Sequence, residues 1–240
     1  MKKLILLLGC LTLTAACQVA ATKPVSISTP TTTLRPTPIS ATTVPTVAPL
    51  PTPPLYFTEE FDTASTFWEF FQTGGTNTPL ATFENGMLRI DIPAPHTWYL
   101  GIHTVHTYSN IFITAQSSLS PTGSIGLICR YDASKGWFEF NVASDGTYSV
   151  LFGQWLAPDI AQYRPIATDS IRHFDAGNLN YEIGLSCQDN SLLWYVNGEL
   201  LRKKDVERFE LSEGNIGITA ASFQEAPMTA IFKWVKVDEQ

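Results

Sequence analysis

From Pro54 onward, the hydrophobic positions come in short runs of alternating phase. Leu88, Ile90 and Ile92 alternate with Arg89 and Asp91, and Leu179, Tyr181, Ile183 and Leu185 alternate with Asn180, Glu182 and Gly184. A period of two sends successive side chains to opposite faces, so each run predicts a strand with one buried face. Turn dipeptides separate the runs at spacings of about eight to twenty residues, and no stretch of useful length keeps a helical period. The expected fold class is all-β.

Two hairpins are legible in the turn chemistry. Asp145-Gly146 and Asn197-Gly198 both accept the positive φ of a type I′ turn and sit between apolar strands. A two-residue loop at Asp145-Gly146 pairs Asn141 with Val150 and Phe140 with Leu151. On that register one face carries Phe138, Phe140, Val142 and Leu151. The other carries Trp137, Glu139, Asn141, Tyr148, Val150 and Phe152. Trp137, Glu139, Asn141 and Tyr148 are therefore the candidate carbohydrate-binding residues. Aromatic rings stack on the C–H faces of sugars, while carboxylate and amide groups take the hydroxyls. The competing reading has the same rings packed beneath Gly153 to Gly177, a segment holding Trp155, Tyr163 and Phe174. Arg130, on the opposite phase from Cys129, is a candidate to share this face, where it would either orient an acidic sugar or pair with Glu139.

The first 54 residues have a different character. Met1-Lys2-Lys3 followed by the apolar run Leu4 to Leu13 has the length and flank of an export signal rather than of a membrane span. Thr14-Ala15-Ala16-Cys17 is similar to the lipobox of bacterial lipoproteins, with Thr14 where that pattern usually has an aliphatic residue. The resemblance implies lipidation of Cys17. The alternatives are Cys10, which leaves a hydrophobic region of only about five residues, and ordinary cleavage after Ala16. Gln18 to Pro54 contains nine Pro and ten Thr, with no Gly and no aromatic residue. It cannot build a core, and in polyproline II conformation it would reach on the order of 100 Å at about 3.1 Å per residue. The expected organisation is a lipoprotein signal peptide (1–16), a Pro/Thr-rich tether (17–54) and one β domain (55–240).

Charge narrows the partners. The first 54 residues hold four of the fifteen Lys and Arg and none of the 22 acids, so the remainder carries 11 basic and 22 acidic residues, a net −11. That repels nucleic-acid backbones and disfavours docking on anionic lipid through a basic patch. The run Arg202-Lys203-Lys204 follows a hairpin and precedes Asp205 and Glu207, as expected of a charged edge strand. Cys129 and Cys187 both fall on the apolar phase of their strands. In an exported domain such a pair is most simply a disulfide, the alternative being two buried thiols.

The runs Gly126-Leu127-Ile128-Cys129-Arg130-Tyr131, Trp137-Phe138-Glu139-Phe140, Leu193-Trp194-Tyr195-Val196-Asn197-Gly198 and Gly214-Asn215-Ile216-Gly217-Ile218 resemble bacterial exported domains of the concanavalin A-like lectin/glucanase superfamily. The likeness is nearest the laminin-G-like and 3-keto-disaccharide hydrolase-like groups. It implies a jelly-roll sandwich of two antiparallel sheets and, by itself, no activity.

The sequence carries none of the familiar catalytic constellations. Retaining glucanases on this fold need paired carboxylates about 5 Å apart, set on alternate residues of one strand. The only Glu-x-Asp is Glu60-Phe61-Asp62, which no second glutamate completes; Glu60 and Asp62 are expected outside, with Phe57 and Phe61 inward. His103 and His106 fall on opposite faces of a strand, and His96 and His173 lack ligand-spaced partners, so no metal or other cofactor is expected. No Gly-x-Ser-x-Gly elbow is present. The reading favoured is an exported, membrane-anchored lipoprotein on the extracytoplasmic face, carrying a non-catalytic module for a glycan or cell-surface polysaccharide. The alternatives are a hydrolase of modified disaccharides and an adhesive or spacer domain without a small ligand.

Overall fold

The computed structural model describes residues 52–172, 174–175 and 179–240. The expected signal peptide, Cys17, most of the expected tether and His173 lie outside the described residues. In chain order the strands are β1 (Phe57–Glu59), β2 (Trp68–Gly74), β3 (Leu80–Glu84), β4 (Met87–Ile92), β5 (Thr97–Tyr108), β6 (Ile111–Leu119), β7 (Ser124–Asp132) and β8 (Gly136–Ala143). They continue as β9 (Thr147–Ala157), β10 (Ile160–Ser170), β11 (Asn180–Gln188), β12 (Ser191–Val196), β13 (Glu199–Asp205), β14 (Gly214–Ser222) and β15 (Met228–Asp238). One 3₁₀ turn, Glu207–Phe209, precedes β14.

These strands form two antiparallel sheets, a jelly-roll sandwich. One runs β13-β12-β11-β6-β15-β4-β3, with β1 also paired to β15. The other, seven-stranded, runs β10-β9-β8-β7-β14-β5-β2. The alternating runs place their apolar residues between the sheets. Leu88, Ile90 and Ile92 of β4, and Ile183 and Leu185 of β11, are fully buried against Phe138, Phe140 and Val142 of β8. Each such side chain contributes about 1.5–3 kcal/mol. Phe61 is buried, whereas Glu60 and Asp62 are exposed.

Cys129 on β7 and Cys187 on β11 form a disulfide, with Cα atoms 6.6 Å apart. It ties the two sheets together, and over a separation of 58 residues loop closure stabilises the fold by about 4 kcal/mol in the chain-entropy model.

The two hairpins behave differently. Asn197 (φ 50°) and Gly198 (φ 78°) make the two-residue turn, with Val196 paired to Glu199. At Asp145-Gly146 the loop has three residues instead. Gly146 N–H donates to Ala143 O at 3.1 Å, Gly146 is left-handed at φ 81°, and Asp145 Oδ1 accepts from Thr147 N and Oγ1 at 2.9 and 2.6 Å. This is a type I turn closed by a left-handed glycine. The extra residue shifts the register by one, pairing Val142 with Tyr148 and Phe140 with Val150. Tyr148, Val150 and Phe152 therefore join Phe138, Phe140 and Val142 in the inter-sheet core, and Leu151 takes the opposite face.

Arg130 also departs from expectation. It sits in a bulge of β7 with φ 54°, is only 2% exposed, and does not pair with Glu139. Its guanidinium donates to the backbone carbonyls of Ser109, Leu211 and Asp189 at 2.9, 2.8 and 2.7 Å. It thereby ties three loops together at one end of the sandwich.

His103 is fully buried among Phe57, Phe67 and Trp68, and neither ring nitrogen has a hydrogen-bond partner. Burial, reinforced by nearby His106, pushes its pKa down to about 4. The unfolded chain, with an ordinary value of about 6.5, binds the proton more readily. The neutral imidazole's contribution is thus intact above pH 6.5 and is lost as pH falls toward 4, by on the order of 2–3 kcal/mol. Denaturant melts of His103→Phe between pH 7 and pH 4 should lose stability less steeply than the parent by that amount; parallel profiles would contradict it.

Candidate functional site

Trp137, Glu139 and Asn141 alternate along β8 and share one face, as the sequence indicates, but Tyr148 is not among them. Tyr148 is 4% exposed in the inter-sheet core, with its ring centroid 6.2 Å from those of both Phe140 and Trp194. The one-residue register shift is the reason. The face of β8 that keeps Trp137 belongs to the side of the seven-stranded sheet turned away from the other sheet.

That side is rolled inward. β5 and β10 are five strand spacings apart in the sheet, which would be about 24 Å if it were flat. Yet the Trp98 ring on β5 and the Tyr163 ring on β10 have centroids 5.8 Å apart. The two edge strands also meet, Ala161 N–H of β10 donating to Thr73 Oγ1 of β2 at 3.0 Å. The enclosed space is filled by a second apolar cluster built on Leu100, Ile102, Ile128, Tyr131 and Trp137, with Phe71, Trp98, Trp155 and Tyr163 packed on it. Trp137 lies against Trp155, Tyr131 and Tyr163 at centroid distances of 5.2, 5.5 and 5.8 Å. Gly153 leaves the room its indole needs: a Cβ there would meet Trp137 Cε2 at 2.3 Å.

At the centre is a polar network. The Glu139 carboxylate accepts from Trp137 Nε1 at 3.0 Å and from Asn141 Nδ2 at 2.7 Å. Trp137 and Glu139 are 0% exposed and Asn141 is 4% exposed. The Tyr163 and Thr219 hydroxyls adjoin the same carboxylate, though their geometry falls short of a hydrogen bond. Burial pushes the Glu139 pKa up, against the pull of its hydrogen-bond donors. Burial and the neighbouring carboxyl also raise the Tyr163 phenol well above its usual value. The neighbours of Glu139 are thus indole, amide and hydroxyl groups. Glycoside hydrolysis calls for a second carboxylate and an open path to the first.

What stays within reach of solvent is the rim. Phe71, Tyr131 and Trp155, with Ala133, Ala157, Pro158 and Asp159, line an apolar depression of about 330 Å³. Trp155 Nε1 donates to Tyr131 Oη at 3.0 Å, and the Phe71 and Tyr131 rings are stacked at 6.1 Å. Asp159, left-handed at φ 60° in the β9–β10 turn, also borders a second, polar depression with Gln72 and Thr73. The sequence reading identified Trp155 as a ring that could cover Trp137. It missed Phe71, Tyr131 and Asp159, because only the roll of the sheet brings β2, β7 and β9 together.

Trp137→Ala should cost about 3–5 kcal/mol, as for an aromatic ring removed from a core. Glu139→Leu should strand two buried donors at about 1–3 kcal/mol each, whereas Glu139→Gln keeps an acceptor and should lose less. Because burial raises the Glu139 pKa, its contribution is intact below the unfolded value of about 4.3 and is lost as pH rises through the folded one, so Glu139→Gln should also flatten that fall. Urea melts decide both points; a loss below about 1 kcal/mol for Trp137→Ala would place that ring outside a core.

No protein-family model and no curated protein matches this sequence. Solved structures do. A Bacillus licheniformis beta-glucanase aligns at TM-score 0.53 and 15% identity over 77% of this chain and 98% of its own. A glycoside hydrolase family 16 endo-glucanase from Bacteroides ovatus aligns at 0.54 and 9% identity over 76% and 99%. A Bacillus subtilis protein of unknown function with a galectin-like fold aligns at 0.52 and 12% identity over 77% and 98%. The jelly-roll sandwich of this chain is thus the architecture of glucanases and of a galectin-like protein.

Proposed function

We propose that this protein is an exported, surface-tethered carbohydrate-binding module that does not hydrolyse its ligand. The observation that carries the binding half is the aromatic rim, where Phe71 and Trp155 present ring surface beside the exposed carboxylate of Asp159. Apolar ring faces with a polar group at their edge suit a sugar's C–H face and hydroxyls. Glucan-cleaving enzymes among the fold's neighbours support a glycan as the partner class. The non-catalytic half rests on Glu139, buried in a network without a second carboxylate. The net −11 of residues 55–240 argues against nucleic acid.

Tethering rests on the sequence. A lipidated Cys17 would anchor the chain on the extracytoplasmic face, and the Pro/Thr segment would hold the domain away from the bilayer. Intact-mass analysis of the membrane-extracted mature protein should show Cys17 as a diacylated first residue. An unmodified Cys17 amino terminus would contradict the anchor.

Glycan-array screening followed by calorimetry on the best oligosaccharide tests the site. Phe71→Ala and Asp159→Asn should each weaken binding about tenfold or more, near 1.4 kcal/mol, while Tyr148→Phe should leave it unchanged. Binding that survives both rim substitutions would remove the site, and reducing-end release from any bound oligosaccharide would show an enzyme.

A further inference from the structure

The outward face of the larger sheet holds a second recess, remote in the fold from the rim. Phe112 and Thr114 of β6, Glu182 and Gly184 of β11 and Tyr195 of β12 line a partly enclosed pocket of about 260 Å³. Its form follows from the ladder. Gly184 pairs with Thr114 on one side and Tyr195 on the other. Having no side chain, it lets the Phe112 ring lie over it, where a Cβ would approach Phe112 Cε2 to 3.2 Å. The Phe112 and Tyr195 rings meet at 5.3 Å and 65°, so they form a corner rather than a platform.

The polar groups of this corner are unmatched. Among the described residues the Glu182 carboxylate makes no hydrogen bond or ion pair; its backbone N–H donates to Asn197 Oδ1 at 3.0 Å and its carbonyl accepts from Asn197 N–H at 2.7 Å. On the neighbouring strand, Lys236 stands opposite Thr114 but is held by Asp238 at 2.9 Å. Among the described residues, therefore, no cation neutralises Glu182. We propose that this corner is a binding site for an organic cation, an alkylammonium group that rests against both ring faces with Glu182 as its counter-ion. A flat pyranose ring can stack on only one of two rings set at this angle, whereas a compact tetrahedral ammonium touches both. The negative quadrupole of each ring face and the carboxylate attract the same charge, and the net −11 of the domain adds to that field. A choline substituent and a methylated amine share this chemistry.

The test is an NMR titration of the full-length chain with choline and, separately, with its uncharged isostere 3,3-dimethyl-1-butanol. Choline should give saturable shifts at the backbone amides of Thr114, Glu182 and Gly184, and the isostere should bind about tenfold more weakly or not at all. Glu182→Gln and Phe112→Leu should each lower choline affinity about fivefold or more, with thermal melts confirming that both variants are folded. Equal binding of choline and the isostere, shifts absent from these amides, or an unchanged affinity in folded Glu182→Gln would each overturn the proposal. The comparison of the two probes on the parent protein decides it even if a variant fails to fold. Glycan-induced shifts at Tyr131 and Trp155 report on the rim independently.

Discussion

The fit of the Trp137 indole over Gly153, anchored by its bond to Glu139, is the contact around which this domain is organised. A sheet whose fifth-nearest strands bring Trp98 and Tyr163 within 5.8 Å has no room left for solvent at its centre. Its inner face must therefore be filled by its own side chains, and the largest of them must lie flat. Gly153 and Gly126 supply the space, the latter where a Cβ would meet Asn141 Oδ1 at 2.2 Å. The carboxylate between Trp137 and Asn141 satisfies their donors in a place where unpaired polar groups are costly. The domain thus has two cores, one between its sheets and one inside the roll of the smaller sheet.

This second core redirects function. On an open sheet face, alternate residues such as Trp137, Glu139 and Asn141 would form a ready glycan platform. Once the face is filled, the same residues give rigidity and the exposed chemistry moves outward. It emerges at the rim, where Phe71 and Trp155 continue the internal aromatic stack to the surface beside Asp159. A rim fastened to a packed interior is pre-organised, which would lower the ordering cost of binding the proposed glycan.

Much of the sandwich is written in local phase. The alternation of Leu88, Ile90 and Ile92, the inward placement of Cys129 and Cys187, and the Asn197-Gly198 turn each follow from period and turn chemistry over a few residues. The face of β9 does not. Asp145-Gly146 suits a two-residue or a three-residue loop, and the capture of Thr147 by the Asp145 carboxylate accompanies the longer one. One residue then carries Tyr148 from the expected platform into the main core. The roll of the sheet is less legible still, because it depends on β10 reaching β2 and β5, which no local pattern encodes. Trp155 and Tyr163 are visible in the sequence as rings in need of cover, but the partners they cover are set by that long-range curvature.

Hydrogen exchange at the Trp137 indole N–H, followed by NMR, bears most directly on the claim that the inner face is a core. With Nε1 bonded to a carboxylate that is 0% exposed, exchange should require global unfolding, giving an opening free energy equal to that from denaturant melts. Exchange at a rate close to that of a free indole, in protein that remains folded, would mean that the face is open and that the account given for this domain is wrong.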